Sequence, residues 1–331
     1  MNETLRLTPE DGGAPPRRGR QPLNGEINMR ASTLAILAAM TGLLGAAAFA
    51  QEKGTLDPRP LPPLAHPSDP STPAKELFGR ARESAPLDPD PIGFYSRGCL
   101  AGGEELPVNG AHWQVMRLSR NRNWGHPALV KFLEHFSAKA AQASGWPGLL
   151  IGDMSQPRGG PMLTGHASHQ IGLDADIWLT PMPERELSRA EREEMSATDV
   201  VREDLLDIRP DVWTQGHVAV IRAAALEPKV QRIFVNPAIK RALCRVAEGE
   251  PWMRKVRPMW GHNYHFHVRL FCPDGSSCRD QDPTPAGDGC DQSLAWWFTD
   301  EALHPKKSGK SWPPMTMAAL PDACRQVLKA Q

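Results

Sequence analysis

Two short segments, far apart in the chain, alternate apolar and polar residues with a period of two, and this alternation limits the fold more than any other feature. In residues 171–179, Ile171, Leu173, Ala175 and Ile177 point one way, while Gly172, Asp174, Asp176 and Trp178 point the other. In residues 264–270, Tyr264, Phe266, Val268 and Leu270 form an apolar face, and His265, His267 and Arg269 share the opposite one. Two such strands predict a sheet with one face in a core and the other face lined with carboxylates and imidazoles. A lone histidine is usually structural. Here five of the 11 histidines (His166, His169, His262, His265 and His267) fall in or beside these segments, which reverses that reading.

The surrounding pattern predicts an α+β fold, a small antiparallel sheet carrying the site, flanked by helices and disulfide-braced loops. Pro127 opens an apolar-periodic run (Leu129, Phe132, Leu133, Phe136) that Gly145 can close. Leu149-Leu150-Ile151 reads as a buried strand, and Ser188-Arg189-Ala190-Glu191 as a capping box that opens a charged helix. Helices are also expected over 218–226 and behind Pro237, with a strand at Arg232-Ile233-Phe234-Val235. No glycine-rich phosphate loop is present.

With 38 basic and 38 acidic residues the formal net charge is zero, which gives no electrostatic basis for binding nucleic acid. Residues 1–50 read as a leader. Met29-Arg30 precedes an uncharged run from Leu34 to Ala50 that ends in Ala48-Phe49-Ala50, the pattern of a signal peptide spanning 29–50 with its true start at Met29. The competing reading is a retained anchor, since the run is at the lower limit of spanning length. Cleavage would leave no stable membrane insertion. Ten prolines between Pro58 and Pro91 predict a proline-rich tether over 51–74, followed by one domain over 75–331. The six cysteines, Cys99, Cys244, Cys272, Cys278, Cys290 and Cys324, contain no C-x-x-C pair and suit disulfides in an oxidising compartment such as the periplasm. Fifteen pairings are open to six cysteines. Cys272 and Cys278 are close enough to close a small loop, and Cys99 and Cys324 could tie the two ends of the domain.

Catalytic zinc needs three N, O or S protein ligands and an open position for water. His169 and Asp176 can converge if the chain bends near Gly172, and His267 supplies a third ligand from the neighbouring strand. His265, two residues earlier on the same face, is placed to act as general base or to stabilise an oxyanion. His166, His262 and Asp174 are expected to support the ligands or to face substrate, with His166 and His262 joining His265 in the catalytic set. The chain has no H-E-x-x-H motif and no S-x-x-K motif, so neither the helical zinc-protease arrangement nor the serine chemistry of penicillin-binding enzymes is available.

The H-x6-D spacing of His169 and Asp176, followed by His265-Phe266-His267, resembles the signature of the lysostaphin, D-Ala-D-Ala peptidase and murein endopeptidase superfamily. Residues 155–179, 232–240 and 254–273 more narrowly resemble the penicillin-insensitive murein endopeptidases. The resemblance implies a periplasmic zinc peptidase with one Zn2+, acting on the D-alanyl–meso-diaminopimelyl cross-links of peptidoglycan. It also implies disulfides Cys99–Cys324, Cys244–Cys290 and Cys272–Cys278. Family members can carry D-x-x-H at a site proposed for a second metal; here Asp204-Leu205-Leu206-Asp207 has aspartate in the histidine's place. His166, Asp204 and Asp207 are therefore further candidate ligands. Arg158, between turn residues, is a candidate for holding a substrate carboxylate or for anchoring its own loop. The alternative functions are a D-Ala-D-Ala carboxypeptidase or dipeptidase on the same scaffold, and a non-catalytic wall-binding protein.

Overall fold

A computed structural model describes residues 51, 53–305 and 313–331; the expected leader at 1–50 lies outside the described residues. The first regular elements are helix α1 (Ala74–Phe78) and the hairpin β1 (Asp90–Phe94) and β2 (Arg97–Ala101). Short strands β3 (Glu104–Glu105), β4 (Asn109–Gly110), β5 (Trp113–Val115) and β6 (Trp124–Gly125) lead into helix α2 (Pro127–Ser144) and strand β7 (Leu149–Ile151). After β8 (Asp174–Trp178) come helices α3 (Arg189–Glu194) and α4 (Gln215–Leu226), strand β9 (Val230–Val235) and helix α5 (Pro237–Ala247). Strands β10 (Val256–Pro258) and β11 (His265–Leu270) precede the short helices α6 (Gln292–Ala295), α7 (Asp300–Leu303) and α8 (Ala323–Lys329).

Seven strands form the central sheet in the order β10-β9-β11-β8-β7-β5-β4. The α+β class is as expected, but the sheet is larger than the small antiparallel one anticipated and is mixed. Only the β10–β9 and β5–β7 pairs are parallel, so the centre, β9-β11-β8-β7, is antiparallel throughout. Local sequence signals set the helix ends. Pro127 starts α2 behind His126, whose Nδ1 accepts from the Ala128 amide, and Gly145 closes it in the left-handed conformation. Ser188 and Glu191 form the capping box of α3. Helix α4 begins three residues before the apolar run that announced it, because Thr214 and His217 cap it reciprocally. His217 is thereby a structural residue, with Nε2 2.9 Å from the Leu179 carbonyl.

The alternation in the two site strands divides the sheet. Leu173, Ala175, Ile177, Phe266, Val268 and Leu270 join Leu129, Phe132 and Leu133 of α2 and Val220 and Ile221 of α4 in the main core. Each large side chain buried there contributes about 2 kcal/mol. The opposite face is left for the polar set.

Three disulfides, Cys99–Cys324, Cys244–Cys290 and Cys272–Cys278, brace this frame. The first joins β2 to α8 within a second small core that includes Phe78, Ile92 and Val327. Among its described residues the 51–74 segment has no helix or strand before α1, yet its start is held on the domain. Gln51 exchanges two hydrogen bonds with the backbone of Ala197, and the Gly54 amide donates to Glu193.

Candidate metal centre

Strand register places the ligand-type residues opposite one another. His267 pairs across from Asp176, Arg269 from Asp174, and His265 from Trp178. The remaining histidines arrive from the loop between β7 and β8. That loop folds back because His169 and Gly172 adopt positive φ, 67° and 69°. Only glycine fits at 172, where a Cβ would lie 2.6 Å from Leu100 Cδ2 and 2.8 Å from the His126 amide nitrogen. The bend expected near Gly172 is therefore built from two residues, and the His169 amide locks it by donating to Asp174 Oδ2 at 3.0 Å.

The result is a ring of imidazoles around one carboxylate. Asp176 Oδ1 lies 3.3 Å from His267 Nδ1, 3.4 Å from His169 Nε2 and 3.6 Å from His265 Nε2. His166 Nε2 reaches the other Asp176 oxygen at 3.5 Å and Asp153 Oδ2 at 3.1 Å. Asp176 Oδ1 and both ring nitrogens of the fully buried His169 make no hydrogen bond. Buried polar atoms left unpaired in this way are costly and need an explanation. Tetrahedral metal–ligand bonds of about 2.0–2.1 Å set neighbouring donor atoms about 3.3 Å apart. The observed spacings match that geometry, and the donor set of imidazoles with one carboxylate fits a divalent metal ion. His166, His169 and Asp176 each offer an atom within 4.8 Å of the other two. His166 thus sits nearer the ligand cluster than a purely supporting role requires.

Contacts around the ring fix which nitrogen faces inward. His267 Nε2 lies 3.0 Å from Asp174 Oδ1, an ion-pair contact rather than a well-aligned hydrogen bond, leaving Nδ1 toward Asp176. Asp174 is itself held by Arg269, whose Nε and Nη2 donate at 2.8 and 3.2 Å. Burial opposes the charge on Asp174, but Arg269 and His267 hold its carboxyl well below the usual range. Asp176 is also held low: burial works against it, and the imidazoles of His265, His166 and His169 outweigh burial. Burial pushes His265 down to about 4 despite Asp176, so at neutral pH its ring is a free base. His262 is pushed well down by burial and by the neighbouring His265 and His267. Its Nδ1 can only donate to the Trp260 carbonyl at 2.9 Å, so Nε2 keeps its lone pair.

A cleft of about 340 Å³ opens onto this ring, lined by His166, Asp176, His262, His265, Asp153, Trp178 and Tyr264, with Arg117, Arg120 and Gln51 also on its walls. Asp153 was not legible as a site residue. It follows the strand Leu149–Ile151 and binds His166, Arg120 (2.9 Å) and Arg122 (2.8 Å) at once. Its position just past a strand end was the only signal available. Burial pushes the Tyr264 hydroxyl up to about 12, so it stays protonated.

Three candidates from the sequence lie elsewhere. Arg158 is turned away from the cleft: its Nη1 donates to the Val327 and Leu328 carbonyls at 2.9 Å and its Nε to Glu83, so it anchors its loop to α8. Asp204 pairs with Arg202, and Asp207 forms a two-pronged pair with Arg245 at 2.8 and 3.1 Å. Each carboxylate already has a cation, and neither joins the ring.

The chain is similar to known proteins over most of the described domain. The family model for penicillin-insensitive murein endopeptidase matches residues 91–329. A protein of that name from Haemophilus influenzae is 45% identical over 243 residues, covering 72% of this chain and 82% of its own length. Another from Pectobacterium atrosepticum is 40% identical over 242 residues (72% and 84%), and one from Salmonella paratyphi B is 43% identical over 239 residues (72% and 85%).

Proposed function

The chain belongs to the penicillin-insensitive murein endopeptidase family, and from that premise we propose that it is a periplasmic, zinc-dependent hydrolase of the D-alanyl–meso-diaminopimelyl cross-links of peptidoglycan. The observation that carries the metal dependence is the orphaned Asp176 Oδ1 with imidazole nitrogens at 3.3 and 3.4 Å. His169, Asp176 and His267 would hold the ion, with His166 as a further donor within reach. A zinc ion there would supply a Lewis acid that acidifies water and polarises the scissile carbonyl.

The chain's own residues do the rest. His265, neutral and facing the cleft, takes the proton of the attacking water and passes one to the leaving amine. His262 presents the lone pair of Nε2 to the same space, because Trp260 occupies its Nδ1. Tyr264, still protonated, is a hydrogen-bond donor for a substrate carbonyl on the cleft wall. Trp178 and Tyr264 give that wall an apolar surface that sheds water as peptide enters. None of these steps uses a serine nucleophile, which accounts for insensitivity to penicillin. The exported domain is read as 75–331, reached by removal of the leader, and the six cysteines suit that compartment.

Purified protein incubated with cross-linked muropeptide dimers tests this reading. Conversion of dimers to monomers, stopped by a chelator and restored by zinc, supports it. Intact dimers together with D-alanine released from monomeric pentapeptide would establish the carboxypeptidase alternative instead. Binding to peptidoglycan with no new product would establish a wall-binding protein.

A further inference from the structure

Beside the metal cleft runs a second groove of about 390 Å³, and the two share Arg120 on their walls. Four more arginines line it, Arg59, Arg80, Arg82 and Arg122, and no carboxylate is among its lining residues. The chain as a whole carries zero formal net charge, so this local concentration of guanidinium is not the by-product of a basic protein. The five guanidiniums outnumber the three carboxylates paired with them, Asp57, Glu76 and Asp153, and a surplus of one sign of charge on a groove concentrates ligands of the other.

The five guanidiniums are not equally committed. Arg122 is buried and tied to Asp153 and to the carbonyl and hydroxyl of Thr164. Arg120 pairs with Asp153, Arg80 with Glu76 and the Pro62 carbonyl, and Arg59 with Asp57. Arg82 is exposed, and its guanidinium has no partner among the described residues. Its backbone is nevertheless fixed beside the others, because its carbonyl accepts from Asn121 Nδ2 at 3.1 Å. Asn121 ends the turn Leu118–Arg120 in the left-handed conformation (φ 52°), and Arg117 begins it the same way (φ 58°). Both ends of that turn are therefore held in the left-handed region, between Arg120 and its neighbours on the groove wall.

We propose that this groove is a carboxylate subsite: it receives a free carboxylate of the stem peptide whose cross-link lies in the metal cleft, and Arg82 is the donor that contacts it. The inference rests on the murein reading given above. Cross-linked stem peptides carry free carboxylates within a few bonds of the scissile amide, and the planar fork of arginine matches a carboxylate with two parallel hydrogen bonds. The shared wall also joins the groove to the metal centre, since Arg120 and Arg122 bind the same Asp153 that holds His166.

The test compares cross-linked dimers bearing free stem-peptide carboxylates with the same dimers amidated at those positions, using wild type and Arg82→Gln. For wild type, amidation should lower kcat/KM roughly five- to tenfold, mostly through KM. For Arg82→Gln, the two substrates should give kcat/KM values within about twofold of each other. Equal cleavage of both dimers by wild type, or full discrimination retained by Arg82→Gln, overturns the subsite and leaves the murein reading standing. If wild type loaded with zinc cleaves neither dimer, the murein reading fails and this inference fails with it.

Discussion

Asp174 lies 3.0 Å from Nε2 of His267, across the β8–β11 pair and one step diagonal to the directly opposed residue. That contact decides which nitrogen of His267 faces the metal site. A carboxylate beside one ring nitrogen draws the proton there and frees the other as a ligand. Replacing Asp174 with Asn removes the preference while keeping the size of the side chain. The expected outcome is a 10- to 100-fold loss of zinc affinity, read by competition with a coloured chelator. Unchanged affinity would show that strand packing alone orients His267.

His265 should separate proton transfer from metal binding. It lines the cleft, is neutral at pH 7 and lies slightly farther from Asp176 than His169 or His267 does. His265→Gln should lose about 10²–10⁴ in kcat on muropeptide dimers while keeping its zinc. If the variant loses its zinc as well, His265 is a ligand and the roles assigned here must be exchanged.

Arg158 makes the opposite kind of prediction. Its hydrogen bonds go to the last turn of α8 and to Glu83, all away from the cleft. Arg158→Ala should lower stability by about 1–3 kcal/mol in urea unfolding, with KM for dimers unchanged. A raised KM with intact stability would return Arg158 to the substrate.

Lys240 gives a pH-dependent outcome remote from the metal site. It is fully buried, donating to the Met253 and Asp288 carbonyls, and burial pushes its ammonium down to about 7. Between about pH 7 and the ordinary lysine range the unfolded chain holds a proton that the folded one has released. Stability from this group therefore rises with pH across that window, at up to about 1.4 kcal/mol per pH unit, and the gain is absent below pH 7. Urea unfolding of wild type and Lys240→Met at several pH values should show wild type gaining on the variant from pH 7 to 9. A constant difference would mean that Lys240 stays charged in the fold.

Much of this site was written in period-2 alternation. The alternating faces of residues 171–179 and 264–270 placed Asp174, Asp176, His265, His267 and Arg269 on one side of one sheet, and their register then set them opposite each other. What alternation could not give was the company each residue keeps. Asp153 is one carboxylate among many in the sequence, and only folding brings Arg120, Arg122 and His166 to it. Arg158 and the Asp204–Asp207 pair carried suitable chemistry, but their partners, the end of α8 and Arg202 and Arg245, are chosen by tertiary contacts. The parallel outer strands were likewise invisible, because β5 and β10 are three residues each and too short to show a period.

Zinc content of wild type and Asp176→Ala, measured by atomic emission on the same preparations assayed for dimer cleavage, tests the metal centre most directly. Asp176 is the residue around which every imidazole of the ring is arranged. The expected result is about one zinc per chain in wild type, and loss of both zinc and cleavage in Asp176→Ala. An Asp176→Ala protein that keeps its zinc and full cleavage would contradict it.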